Sequence, residues 1–107
     1  MIGPLPSFDA ALVLRVGGDV VYSHGDVDRV FPLASVTKPI VAWSVLVAVE
    51  RGLISLDDPA GPEGATVRHL LAHASGLPFE GRRPVAAPGK RRIYSNEGFD
   101  ILGEVVA

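Results

Sequence analysis

The chain has 107 residues, 48% of them hydrophobic, a formal net charge of -2 and no cysteine. That length suits one ordinary domain, and the balance of apolar and charged residues excludes a disordered or nucleic-acid-binding class. The missing cysteines exclude a disulfide framework, a thiolate metal site and a cysteine nucleophile.

The chain begins M-I-G-P-L-P-S-F-D-A, with no basic n-region, apolar h-region or small-residue cleavage site, so the expectation is a cytoplasmic protein without a secretory signal. Residues 11–16 and 20–24 are apolar or β-branched runs joined by Gly17-Gly18-Asp19, the pattern of an antiparallel hairpin. Val30 to Leu33 then lead into a helix over about residues 36–51, with Pro39 in its first turn and Gly52 as its stop. The apolar run at 39–49, interrupted by Ser44, is well short of the roughly 20 residues that span a bilayer, so it reads as a core helix and no membrane partner is expected.

Residues 54–64, I-S-L-D-D-P-A-G-P-E-G, are rich in proline and glycine and read as an irregular connection. Thr66 is placed to cap a short helix from Val67 to about His73, ended by Gly76 and Pro78. Residues 78–89 read as loop. Asn96 is placed to cap a final helix from Glu97 onward, with Phe99, Leu102 and Val106 on one face.

Apolar residues from Ile40 to Val49 point in every direction around the long helix, and such a helix wants cover on all sides. A hairpin and two short helices supply little of it, which predicts completion by further chain or by another subunit.

The start of that helix, L-A-S-V-T-K-P at 33–39, raises the chemical question. Serine at a helix start is commonly a cap. Lys38 does not fit that explanation, because a capping box wants Glu or Gln three residues on and a helix N-terminus favours anions. A residue that breaks the local rule without structural gain points to function. Residues three apart share a helix face, so the Lys38 amine is within reach of the Ser35 hydroxyl, as a base beside a nucleophile. Serine-x-x-lysine alone is weak: at roughly 6% abundance of each residue, a chain this long holds about 0.4 such pairs by chance.

Four ordered segments add specificity: L-A-S-V-T-K-P at 33–39, E-R-G-L-I-S-L-D-D-P at 50–59, T-V-R-H-L-L-A-H-A-S-G-L-P at 66–78 and Y-S-N-E-G-F-D-I-L-G at 94–103. Together they resemble the serine β-lactamase and penicillin-recognising superfamily, particularly class C β-lactamases, D-alanyl-D-alanine carboxypeptidases and related esterases. The resemblance implies an α+β, β-lactamase/transpeptidase-like fold, here a hairpin, a buried central helix and two shorter helices, with residues 1–107 forming the N-terminal part of a larger hydrolase domain.

It also implies that Ser35 is acylated, that Lys38 is its base or proton relay, that Tyr94 relays a proton toward the leaving group, and that Asn96 hydrogen-bonds the substrate's carbonyl side. The implied substrate is a β-lactam, a D-Ala-D-Ala-type peptide or a small ester, with no cofactor. The family's further Lys- or His-x-Gly element is expected outside these residues. A non-catalytic binding module on the same scaffold, or an inactive fragment needing a complementing segment, are the rival expectations.

His69 and His73 stand four apart, but without the Glu of an H-E-x-x-H arrangement no metal site is assigned. In the resembling family the segment around His73 and Ser75 packs and fixes a loop. Arg82, Arg83, Lys90, Arg91 and Arg92 lack interleaved aromatics, so no nucleic-acid partner is expected and they read as a solvated loop.

Overall fold

A computed structural model describes residues 8–107, in two compact units that divide after Pro32. The first ten residues, from which a cytoplasmic location was read, thus lie largely outside the described residues. Among the described residues no helix is long and apolar enough to cross a membrane.

The first unit is built on the expected hairpin, β1 (Leu12–Val16) and β2 (Asp19–His24), paired antiparallel. Val16 faces Asp19, leaving Gly17 and Gly18 as a two-residue turn at φ 59° and 89°. Positive φ at both central positions suits the right-handed twist of the strands, which is why glycine fills both. The register shifts between Leu14 and Arg15, which face Tyr22 and Val20, so Val21 bulges out of the ladder. Asp9 pairs with Arg29 at 2.9 Å, and the Arg29 guanidinium lies 5.1 Å from the centre of the Phe31 ring.

The second unit holds α1 (Thr37–Glu50), α2 (Val67–Leu71) and α3 (Asn96–Val106), with a short 3₁₀ turn at Ala34–Val36 ahead of α1. Its core is Val45 of α1, Val67 and Leu70 of α2, Leu77, and Phe99 and Leu102 of α3. The last turn of α1 closes as a Schellman motif: Gly52 N–H donates to Val49 C=O and Leu53 N–H to Ala48 C=O, with Gly52 at φ 72°.

Thr66 caps α2 as expected, accepting from His69 N–H, while the His69 ring accepts from the Thr66 amide at 3.1 Å. This is a capping box with histidine in the place usually held by Glu or Gln. The irregular connection before α2 also serves it. Asp58 and Leu56 carbonyls accept from Val67 and Arg68 N–H, two donors that lack partners inside the helix.

Three expectations are corrected. The short helix stops at Leu71 rather than near His73, and His73 instead takes a left-handed backbone at φ 56°. The cap of α3 is Ser95, whose hydroxyl accepts from Gly98 N–H at 3.0 Å, so Asn96 is the first helical residue. The long helix is not buried all round: Val45 is fully buried, whereas Trp43 remains 70% exposed and Ile40 and Leu46 about half exposed. Its apolar residues determine what the helix would bury, but in this unit only the face toward α2 and α3 is covered.

Between α2 and α3 the chain returns along residues 73–76. Ile93 N–H donates to His73 C=O, Gly89 N–H to Ala74 C=O and Val85 N–H to Gly76 C=O. A Cβ on Gly76 would stand 1.9 Å from the Ala86 carbonyl oxygen, at φ 91°, whereas one on Gly52 would meet nothing within 4 Å. Gly52→Ala should therefore cost about 1 kcal/mol, the conformational penalty alone. Gly76→Ala should cost about 2 kcal/mol or more, because backbone must move as well. Urea denaturation of both variants checks this, and equal midpoints would contradict the tight approach.

Candidate active site

Ser35 lies in the 3₁₀ turn that leads into α1, and the residue before it, Ala34, is left-handed at φ 48°. That conformation costs a non-glycine residue about 1 kcal/mol and is found where surrounding structure enforces it, often at functional sites. Ser35 is not a cap. The residue at the cap position of α1 is Val36, with no side-chain cap bond. The hydroxyl instead accepts from Lys38 Nζ at 3.3 Å.

Lys38, in the first turn of α1, is half-buried among three neighbours. It donates to Ser35, donates to Asn96 Oδ1 at 2.6 Å, and lies 4.8 Å from the centre of the Tyr94 ring. The nearby Ser35 hydroxyl is the largest influence on the Tyr94 phenol and the Lys38 amine the next; both pull its pKa below the ordinary value of 10.0, against a smaller opposing effect of burial. The structure thus brings Ser35, Lys38, Tyr94 and Asn96 into one cluster, although 58 positions separate Lys38 from Asn96.

Two recesses meet at Lys38 and Phe99. One, of about 330 Å³, is mostly apolar and is lined also by Ser35, Pro39, Ala42, His73 and Tyr94. The other, of about 400 Å³, is more polar and carries Glu80, Asn96 and Asp100.

His73 holds the Tyr94 segment in place. Its Nδ1 accepts from the Ser95 amide at 3.0 Å, and its ring stacks on Tyr94 at 4.7 Å and tilts against Phe99 at 5.0 Å. Sequence reasoning assigned His73 to packing and loop fixing but did not find its contacts with Tyr94 and Ser95. It also missed Glu80, which accepts from Asn96 Nδ2 at 2.7 Å. No local pattern singles out a glutamate in a loop. The basic loop is partly engaged: Arg82 reaches Glu97 at 2.9 Å and Glu104 at 2.7 Å, tying that loop to α3.

Comparison with known proteins agrees with this arrangement of elements. A β-lactamase family profile matches residues 8–107. The chain belongs to the β-lactamase family. A crystal structure of a β-lactamase from Mycobacterium bovis superimposes with a TM-score of 0.75 at 55% identity, over 91% of this chain and 35% of that one. A penicillin-binding protein of Bacillus subtilis is 31% identical over 98% of this chain and 33% of its own length. Esterase EstB of Burkholderia gladioli is 46% identical over 49% of this chain and 17% of its own. The chain thus spans about a third or less of the length of these relatives. What it shares with the β-lactamase family is an α+β portion of the fold, hairpin and helices included.

His73 gives a pH prediction. Burial first, then the charges of Arg92 and Lys38, lower its pKa below 6.5. A histidine with a lowered folded-state pKa contributes stability that is complete above pH 6.5 and is lost as pH falls toward the folded value, because the unfolded chain then binds the extra proton. The acceptor role of Nδ1 toward Ser95 N–H is lost in the same step. Thermal melts between pH 8 and pH 5 should show the midpoint falling on the acid side, and His73→Gln should fall less steeply. Parallel curves for the two proteins would contradict the assignment.

Proposed function

We propose that the β-lactamase-type chemistry of this protein is acyl transfer through Ser35, on a β-lactam, a D-Ala-D-Ala-type peptide or a small ester. The observation that carries the reading is the Lys38 amine 3.3 Å from the Ser35 hydroxyl, with Tyr94 lining the same recess as both. A serine hydroxyl is a poor nucleophile unless a neighbouring group takes its proton.

In this mechanism Ser35 Oγ attacks the substrate carbonyl carbon while its proton passes to the Lys38–Tyr94 pair. The tetrahedral intermediate collapses, the bond to the leaving nitrogen or oxygen breaks, and the pair returns the proton to that atom. Water then attacks the acyl-serine ester, gives its proton to the same pair, and regenerates the Ser35 hydroxyl. The lowered pKa of Tyr94 suits a group that gives and takes protons. Asn96, with its carbonyl on Lys38, holds the amine toward Ser35.

Mass spectrometry after exposure to a labelled penicillin, and separately to a fluorophosphonate, tests the assignment. The expected result is a single adduct on Ser35, absent in Ser35→Ala. Lys38→Met and Tyr94→Phe should slow adduct formation by about 10² to 10⁴, the usual contribution of a positioned acid or base. A folded protein that takes up neither reagent would sink the acyl-serine reading and favour a non-catalytic binding module.

A further inference from the structure

Phe79 and Glu80 belong to the connection between α2 and α3, and backbone contact places them against the start of α3. Asn96 N–H donates to Phe79 C=O at 3.0 Å, and the Phe79 ring stacks on Tyr94 at 6.0 Å. The next side chain, Glu80, is thereby delivered to the Asn96 carboxamide, whose Nδ2 donates to Glu80 Oε1 at 2.7 Å. At the other end of the same amide, Oδ1 accepts from Lys38 at 2.6 Å.

A carboxamide is nearly symmetric in shape, so its partners decide which end faces which way. An ionised carboxylate can only accept, so it takes the N–H end and leaves the oxygen turned to Lys38. Arg82, two residues on, does not compete for Glu80, because it is engaged by Glu97 and Glu104. Among the described residues, Glu80 has no hydrogen-bond partner except Asn96.

We infer that Glu80 is a positioning residue for the candidate active site: it fixes the orientation of the Asn96 amide, and through it the direction of the Lys38 amine toward Ser35. The effect on rate rests on the acyl-serine reading above; the effect on the amide does not.

Two measurements on the same chain separate these. The first is the side-chain amide signal pair of Asn96 in a ¹⁵N-labelled sample, with the Asn96 backbone amide as the control for an intact fold. The second is the rate of Ser35 acylation by a labelled penicillin or a fluorophosphonate. Glu80→Ala should move the side-chain pair toward the position of a free amide and slow acylation about tenfold, the effect of one hydrogen bond to a charged group. Glu80→Gln, whose carbonyl still accepts, should keep the signal pair near its original position and the rate within about threefold. Glu80→Lys offers only donors and favours the flipped amide, so it should be slower than Glu80→Ala.

Side-chain signals unmoved in Glu80→Ala would overturn the proposal, as would equal rates in the Ala, Gln and Lys variants. If the signals respond as expected while the unsubstituted protein is never acylated, the positioning role stands and the acyl-serine reading falls.

Discussion

The hydrogen bond between Lys38 Nζ and Asn96 Oδ1, 2.6 Å long, is the constraint on which the candidate site depends. It joins the first turn of α1 to the first residue of α3, so the positive ends of two helices meet around a cation. Helix N-termini disfavour such a charge. The carbonyl oxygen of Asn96 compensates locally, and the contact is possible only because the packing of Val45, Leu70, Phe99 and Leu102 fixes the distance between the two helices. Burying those side chains is worth on the order of 2 kcal/mol each, more than one polar contact contributes, so the core determines the geometry and the polar cluster uses it.

The segments that deliver the other two side chains are anchored differently. Ser35 follows Ala34, and the Tyr94 segment rests on His73; both Ala34 and His73 have left-handed backbones. At His73 the backbone carbonyl and the imidazole each accept from the returning chain, one from Ile93 and the other from Ser95. Two bonds spaced two residues apart fix both the position and the orientation of the residue between them. That residue is Tyr94, and the His73 ring lies against it. A left-handed backbone at these places is therefore tied to the presentation of Ser35 and Tyr94.

Much of this was legible in the residues. The hairpin followed from Gly17-Gly18, the end of α1 from Gly52 and the start of α2 from Thr66, because each is local chemistry with one favoured outcome. The cap of α3 was harder. Ser95 and Asn96 are adjacent and both are good caps, and what selects Ser95 is its amide bond to His73, 22 positions away. Once Ser95 takes the cap, the Asn96 side chain is left for Lys38 and Glu80. The strain at Ala34 was invisible, since alanine has no preference for left-handed backbone. The burial of α1 was overestimated because an apolar surface records what a helix tends to bury, not what lies beside it.

The two recesses around Lys38 differ in polarity. Ser35 and Tyr94 face the apolar one, with Pro39, Ala42 and His73. The amine's anchoring partner, Asn96, lies in the more polar recess with Glu80 and Asp100. Lys38 thus meets Ser35 on the apolar side and Asn96 on the polar side, and the Asn96 amide stands between Lys38 and Glu80. The sequence spacing Ser-x-x-Lys accounts for the first side, and the fold that returns the chain past His73 supplies the second.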